Sequence, residues 1–217
     1  MKEMKHKKAI LSFTKALEAK GVIASAGHTN AIYDEFKKAY EHGCKLVTHL
    51  YSATSTITRV GGYRRLGVIE TAFLLDDMDV EIIADGKHLP PELIQMICKI
   101  KGFDRVSLVT DAMQVAGTSE TKSEIGGVPC IIEDGVAKLP DRTAFAGSVA
   151  TADRLLQVCI KSAGLPILDA FQMMTENPAR ILKLNAGKIE AGCRPDFAVF
   201  NDDIQIAAVF VNGTQVQ

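Results

Sequence analysis

Four short polar blocks contain the residues that could do hydrolytic chemistry, and each block directly follows an apolar run. The first contains His28, the second His49, the third Asp85 and His88, and the fourth Asp111. Two neutral imidazoles suit zinc or another borderline divalent ion, and a nearby carboxylate suits a general base. The pattern therefore indicates metal-assisted hydrolysis, in which the metal lowers the pKa of bound water and Asp111 moves a proton.

Each of these residues also has a simpler structural interpretation. A single histidine such as His28, in a loop after a strand, is commonly a hydrogen-bonded structural residue. An aspartate such as Asp111, after an apolar strand, commonly caps the next helix. The recurrence of such residues after four consecutive strands favours a site. A basic cluster of three arginines (Arg59, Arg64 and Arg65) is either a solvated surface or an anion clamp.

The apolar runs alternate with amphipathic stretches, and this alternation predicts the elements that position the polar blocks. Strands are predicted at residues 22–26, 46–50, 80–84 and 105–110. Helices are predicted at residues 5–20, 31–42, 66–75 and 90–101. Strands that alternate with helices predict βα units and a parallel sheet, whose carboxyl-terminal edge carries the ligand site. We therefore expect the polar blocks to lie at one edge.

The pattern changes in the second half of the chain. Residues 128–139 are predicted as a hairpin with a turn at Asp134-Gly135. Helices are predicted at residues 149–163, 167–175 and 178–184, followed by strands at 197–200 and 207–211. The pairs Gly61-Gly62 and Gly126-Gly127 are predicted as turns, because neither has the spacing of a nucleotide-binding loop.

Composition excludes several classes of protein. The 217 residues are 47% hydrophobic and carry a formal net charge of -1, which gives no electrostatic basis for binding nucleic acid or an anionic membrane. No apolar run approaches the roughly 20 residues of a membrane helix, and no signal peptide is recognisable. Five scattered cysteines without a CxxC pair are expected to be reduced core residues of a cytoplasmic protein.

Together these blocks resemble a known family, the N-acetylglucosamine-6-phosphate deacetylases of the amidohydrolase superfamily. The blocks around His28, His49, Asp85 to His88 and Asp111 occur in the family's order. The blocks Phe145-Ala146-Gly147-Ser148, Asn177-Pro178-Ala179-Arg180 and Asp196-Phe197-Ala198-Val199-Phe200 also fit the superfamily. The resemblance runs from about Gly21 to the end of the chain.

The resemblance implies a role for each matching position. His28 and His49 match the two metal-ligand histidines, and Asp111 matches the catalytic acid/base. Arg59 is the best match to a phosphate-binding arginine that a neighbouring subunit can contribute, with Arg64 and Arg65 as alternatives. The remaining substrate-binding positions are Ser52, Ala53, Asp85, His88, Phe145, Ala146 and Gly147. The family often has asparagine in place of Ser52.

The reaction that the resemblance implies is removal of acetate from the amide nitrogen of N-acetylglucosamine 6-phosphate, which yields glucosamine 6-phosphate. The implied cofactor is a divalent metal ion, zinc first, with iron, manganese or cobalt as alternatives. The expected partners are the sugar phosphate and a second copy of the chain in a homodimer, with neither nucleic acid nor membrane.

The family's enzymes have a complete eight-stranded barrel and a small β-sandwich. We expect an α/β chain with about four parallel βα units, the C-terminal half of a (β/α)8 TIM-type barrel. The partial barrel would span residues 1–185, and residues 186–217 would form C-terminal strands of the sandwich. A carboxylate metal ligand and a carbonyl-polarising histidine then have no counterpart, so we expect impaired activity, with a second copy or an altered packing covering the exposed edges.

Two alternatives stay open at this point. The chain could be a non-catalytic sugar-phosphate-binding or structural half barrel. It could also be a different amidohydrolase acting on a small amide, which the phosphate clamp and the block Phe145-Ala146-Gly147 disfavour.

Overall fold

A computed structural model describes the backbone of residues 2–217 and the side chains of residues 11–217. The chain divides into two compact units, Met1–Glu81 and Ile82–Gln217. Within the described residues, no helix is long and apolar enough to cross a membrane.

The first unit alternates helices and strands. Its helices are α1 (Lys2–Ala19), α2 (Tyr33–Glu41) and α3 (Val68–Leu74). Its strands are β1 (Ala24–Ala26), β2 (Cys44–Val47), a hairpin of β3 (Thr58–Val60) and β4 (Tyr63–Arg65), and then β5 (Asp79–Ile82), in which the boundary between the units falls.

Parallel pairing organises the sheet of the first unit. β1 pairs with β2, and β2 pairs with β5, both in parallel. The central strand β2 is almost wholly buried, as is usual for strands of a parallel sheet. Two helices begin with the same device: the backbone N–H of Ile32 donates to Glu35 at 3.2 Å, and that of Gly67 donates to Glu70 at 2.9 Å. Each glutamate thereby satisfies a donor at its own helix start.

The second unit is larger and contains more antiparallel structure. Its helices are α4 (Pro91–Lys101), α5 (Ala152–Gln157), α6 (Ile167–Met174) and α7 (Glu176–Leu182), with a 3₁₀ turn at Phe103–Arg105 and a π-helix at Val158–Ser162. Its strands are β6 (Val106–Leu108), β7 (Lys122–Ile125), β8 (Val128–Glu133), β9 (Val136–Lys138), β10 (Phe145–Ser148), β11 (Phe197–Phe200), β12 (Ile206–Val211) and β13 (Thr214–Gln215).

These strands belong to three sheets. β6 continues the order β1-β2-β5-β6, and the backbone N–H of Val109 donates to Ile82 at 3.0 Å. Four antiparallel strands follow in the order β10-β9-β8-β7, and a last sheet has the order β11-β12-β13. A small apolar core of Met113, Cys130 and Ala137 lies against this antiparallel structure, with Ala146 packed on it.

Asn177 fastens α7 to β6. Its side-chain Nδ2 donates to the carbonyl oxygens of Phe103 at 2.7 Å and Val106 at 2.6 Å, and the residue is only 2% exposed. Arg180, one turn later, donates to the carbonyl oxygen of Asp104 at 2.8 Å. The block Asn177-Pro178-Ala179-Arg180 therefore has a structural role in this chain.

Most predicted elements are confirmed, and several bounds need correction. The alternating helices and strands, the Asp134-Gly135 hairpin and the turns at the two Gly-Gly pairs all occur, with positive φ at the turn residues. The predicted helix 149–163 is α-helical only over Ala152–Gln157 and then continues as a π-helix. The helix expected to start at Pro178 starts at Glu176. Five strands were not expected, namely β3, β4, β7, β10 and β13.

Candidate active site

The two histidines predicted to bind metal face each other in the first unit. The Nε2 atoms of His28 and His49 are 3.0 Å apart, with ring centroids at 4.8 Å and an interplanar angle of 67°. His28 is exposed, whereas His49 is 6% exposed. Both follow a strand end directly, because β1 stops at Ala26 and β2 stops at Val47.

Small side chains bring the two strand ends together. A methyl group on Gly27 would lie 3.0 Å from the Cβ of Thr48, closer than almost any real Cβ contact. The hydroxyls of Ser25 and Thr48 are 2.5 Å apart, so the same Thr48 side chain also links the two strands by a hydrogen bond. Glycine at position 27 therefore permits the approach that places the imidazoles within contact distance.

The backbone at both histidines is left-handed. His28 has φ 47 and His49 has φ 30, and Asp111 in the second unit has φ 47. Non-glycine residues avoid this region, and residues held there cluster at functional sites. The sequence contained no signal for this conformation.

The histidine pair has the spacing expected for two ligands of one metal ion. Two imidazole nitrogens, each about 2.0–2.1 Å from a shared zinc at an angle of about 90–110°, lie about 2.9–3.4 Å apart. The observed 3.0 Å falls in this range. Within the part of the chain that the structure describes, no third histidine, cysteine or carboxylate joins the pair in a group that could hold a metal.

The second ring nitrogen of His49, Nδ1, lacks a hydrogen-bond partner. It is buried, and none of the described residues bonds to it. A metal-bound histidine normally donates its second ring N–H to a carboxylate, carbonyl or water. This polar atom was not predictable from the sequence, because its lack of a partner depends on packing.

The loop after His49 carries Ser52 and Ala53 and pairs with the loop after β1. The backbone N–H of Thr29 donates to Ala53 at 3.1 Å, and that of Ser55 donates to Thr29 at 3.1 Å. The Ser55 hydroxyl donates to the carbonyl oxygen of Ala31 at 2.6 Å and accepts from the N–H of Val68 at 3.0 Å. Ser55 therefore fixes both loops and the start of α3, a role that the sequence analysis missed.

The three candidate arginines lie on the β3–β4 hairpin. Arg59 is directly opposite Arg64, and all six strand residues are exposed. None of the three arginines makes an ion pair with the residues that the structure describes. Like charges placed opposite each other destabilise a strand pair. The hairpin therefore presents uncompensated positive charge that an anion would stabilise.

In the second unit, Asp85 and His88 form a tight hydrogen-bonded pair. One carboxylate oxygen of Asp85 accepts the backbone N–H groups of Lys87 and His88, each at 2.8 Å, and the other contacts Nδ1 of His88 at 2.7 Å. The Phe145 ring meets the His88 ring edge to face, with centroids 5.0 Å apart. Burial alone would raise the pKa of the Asp85 carboxyl, but these hydrogen bonds together hold that pKa below its ordinary value.

Asp111 is exposed and makes no hydrogen bond with the described residues through its carboxylate. Its position depends on β10, because the N–H of Met113 donates to the Ser148 carbonyl oxygen at 2.9 Å. A methyl group on Gly147 would lie 2.9 Å from Cγ of Met113. Packing against Met113 therefore favours glycine at position 147, in addition to the predicted substrate contact.

The structure brings the predicted residues together in two groups. The first unit joins the histidine pair to the loop that carries Ser52 and Ala53. The second unit joins Asp85, His88 and Phe145. None of the five cysteines forms a disulfide, and four are buried as expected, whereas Cys193 is only partly buried and is not the core residue that was expected; the buried four are Cys44, Cys98, Cys130 and Cys159.

The chain matches the sequence model of the Amidohydrolase family over residues 8–216, nearly its whole length. Among curated proteins, N-acetylgalactosamine-6-phosphate deacetylase of Shewanella sp. (strain ANA-3) is 30% identical over 200 residues, which cover 92% of this chain and 50% of that protein. N-acetylglucosamine-6-phosphate deacetylase of Haemophilus influenzae is 30% identical over 208 residues, covering 94% of this chain and 53% of that protein.

Solved structures give the same result. The N-acetylglucosamine-6-phosphate deacetylase from Pasteurella multocida superposes with a TM-score of 0.87 at 28% identity, covering 94% of this chain and 53% of that one. The Mycobacterium smegmatis enzyme, a variant of which was solved with N-acetyl-D-glucosamine-6-phosphate, gives a TM-score of 0.86 at 32% identity, covering 95% of this chain and 54% of that one. The chain spans about half the length of the relatives it matches.

Proposed function

Because the chain belongs to the amidohydrolase family, we propose that it carries part of the active site of an N-acetylated amino-sugar 6-phosphate deacetylase. The reaction is hydrolysis of the acetamide of N-acetylglucosamine 6-phosphate to glucosamine 6-phosphate and acetate. The observation that carries the proposal is the 3.0 Å separation of the two histidine Nε2 atoms, which suits two ligands of one metal ion.

His28 and His49 would hold the divalent ion, with zinc as the first choice and iron, manganese or cobalt as alternatives. When bound, such an ion supplies a water of lowered pKa and polarises a carbonyl oxygen. Catalytic zinc commonly has three protein ligands. The histidine pair therefore accounts for part of the coordination shell.

Asp111 would transfer the proton. Its exposed carboxylate accepts a proton from the attacking water as the new C–O bond forms at the amide carbon. It then delivers that proton to the amide nitrogen as the C–N bond breaks, so that the amine leaves neutral and acetic acid forms, which ionises to acetate by losing its proton to the solvent. An amide leaving group needs this protonation because an amide anion is too basic to depart.

One arginine of the β3–β4 hairpin would bind the phosphate, and Arg59 is the first candidate, ahead of Arg64 and Arg65. His88 would contact the substrate near the phosphate. A fixed guanidinium suits a phosphate because it donates two parallel hydrogen bonds. The other proposed contacts come from Ser52, Ala53, Phe145, Ala146 and Gly147.

The architecture that fits this proposal is the C-terminal half of a (β/α)8 barrel over residues 1–185 and sandwich strands over residues 186–217. It is supported by parallel strands that alternate with helices and by the antiparallel sheet β11-β12-β13 near the chain's end. We also propose a cytoplasmic homodimer, in which the neighbouring subunit supplies the arginine. Full activity would need further metal ligands in addition to His28 and His49.

Zinc binding tests the metal site. Calorimetric titration of the metal-free chain with ZnCl₂ is expected to give one zinc per chain, and the double variant His28→Asn with His49→Asn is expected to abolish it. Asparagine is chosen because it tolerates left-handed backbone. The matched control is His42→Asn, at the end of α2, which should bind zinc as the unsubstituted chain does. Unchanged zinc binding in the double variant would refute the site assignment.

Acetate release tests the reaction. The zinc-loaded chain is incubated with N-acetylglucosamine 6-phosphate and with its galactosamine epimer, and acetate is measured enzymatically. Turnover that Asp111→Asn abolishes, with zinc binding retained, would support a deacetylase. Stoichiometric zinc and sugar-phosphate binding without turnover would favour a non-catalytic binding module instead.

A further inference from the structure

The loop between β5 and α4 contains Asp85, whose carboxylate contacts the imidazole of His88 and two backbone N–H groups. Asp85 is only 2% exposed. Its Oδ1 accepts two backbone N–H groups at 2.8 Å, and its Oδ2 contacts Nδ1 of His88 at 2.7 Å. Both oxygens are thus used within the protein, so Asp85 has little left to offer a ligand.

These contacts determine which nitrogen of His88 carries the proton. An ionised carboxylate can only accept hydrogen bonds, so the contact with Oδ2 requires a proton on Nδ1 of His88. In the neutral ring, Nε2 is then left with a lone pair. The described residues provide no hydrogen-bond partner for this Nε2, and the side chain is 9% exposed.

The surroundings keep the ring in place. Phe145 packs edge to face against it at 5.0 Å. Gly86 adopts φ 77 between Asp85 and Lys87, and a methyl group there would meet Val158 at 3.4 Å. The loop therefore turns tightly enough to return the His88 ring to the Asp85 carboxylate.

We propose that Asp85 is a positioning residue that fixes His88 as the Nδ1–H tautomer and presents Nε2 to the ligand. Nε2 would then accept a hydrogen bond from a hydroxyl group of the sugar phosphate. The identity of that ligand rests on the proposed function, whereas the tautomer does not. Asp85 thus acts through His88.

Asp85→Asn is the informative substitution. The two backbone N–H groups would keep the amide oxygen of asparagine on their side, which turns the amide NH₂ toward His88. An NH₂ group donates, so His88 would have to accept at Nδ1 and carry its proton at Nε2. The proposal therefore predicts a reversal of the tautomer.

Long-range ¹H–¹⁵N NMR of the full chain reads the tautomer directly, with the His88 signals assigned from their loss in His88→Asn. In the unsubstituted chain we expect a protonated Nδ1 and an unprotonated Nε2, and in Asp85→Asn the two should exchange. The matched control is Asp141→Asn, whose aspartate also accepts a nearby backbone N–H, from Thr143 at 3.1 Å, and should leave His88 unchanged.

An Nε2–H tautomer in the unsubstituted chain would overturn the proposal, and so would an unaltered tautomer in a folded Asp85→Asn variant. If that variant does not fold, the tautomer of the unsubstituted chain still decides the matter. Because the measurement needs no ligand, a failure to bind N-acetylglucosamine 6-phosphate would count against the proposed function alone.

Discussion

Replacing Asn177 by alanine removes the two donors that fasten α7 to β6. The Phe103 carbonyl oxygen also accepts the N–H of Val106, so it keeps one partner, while the Val106 oxygen loses its bond of 2.6 Å. The side chain of Asn177 also accepts from Nε2 of Gln172 at 3.4 Å, so the substitution removes three hydrogen bonds, each worth about 0.5–1.5 kcal/mol. We expect a loss of about 2–4 kcal/mol in the free energy of unfolding, a drop in Tm of about 4–16 °C.

Urea unfolding followed by far-UV circular dichroism measures this loss. The matched control is Asn185→Ala, because Asn185 is exposed and donates to a single carbonyl oxygen, that of Gly192. We expect the control to lose no more than about 1 kcal/mol. A loss of less than about 1 kcal/mol in Asn177→Ala, at an unchanged denaturant slope, would refute the structural role of this block.

Asn177→Asp provides a second readout from the same position. The carboxylate would face two carbonyl oxygens without an N–H to offer, so its folded pKa would rise above the unfolded value of about 3.9. The folded state then holds the proton more tightly than the unfolded state. Stability is therefore retained at low pH and lost as the pH rises through the folded pKa. A pH-independent loss would contradict this reasoning.

The remaining predictions concern other parts of the chain. Gly67→Ala would place a methyl group 2.4 Å from backbone atoms, and we expect it to lower the free energy of unfolding by about 1–3 kcal/mol or more in the same urea assay. Burial raises the pKa of Cys98 and of Cys159 to about 12, so a thiol reagent at pH 8 should modify Cys193 first; prompt modification of the other two would contradict the packing. The lowered pKa of Asp85 stabilises the fold above its unfolded value of 3.8, and this contribution should fade as the pH falls further, an effect that Asp85→Asn removes from the acid titration.

Local chemistry made much of the fold predictable from the sequence. The turn at Asp134-Gly135 needs two residues with positive φ, and this dipeptide supplies them. Pro91 at the start of α4 and Gly102 just after its end have their usual positions. The predicted bounds of α4 therefore differ from the observed ones by only one residue. Features that depend on short-range residue preferences are visible in a single sequence.

Features that depend on contacts between distant residues were not predictable. The π-helix after Gln157 reflects a shift in hydrogen-bond register that no residue type signals. The block around Asn177 was recognised by resemblance, but its partners Phe103 and Val106 lie more than 70 positions earlier in the chain. The sequence nominated both Asp85 and His88, whereas the contact between their side chains is seen only in the folded loop.

The left-handed backbone at His28, His49 and Asp111 has a consequence for how this protein can be stabilised. A non-glycine residue held in this region costs about 1–3 kcal/mol, which glycine avoids. Selection for heat resistance alone would therefore favour replacing these three side chains with glycine, and would remove the proposed metal ligands and the proposed proton carrier in doing so. If the proposed roles are right, a library screened only for thermal tolerance should accumulate inactive variants at these positions, whereas stabilising substitutions compatible with activity should come from positions away from the strand ends.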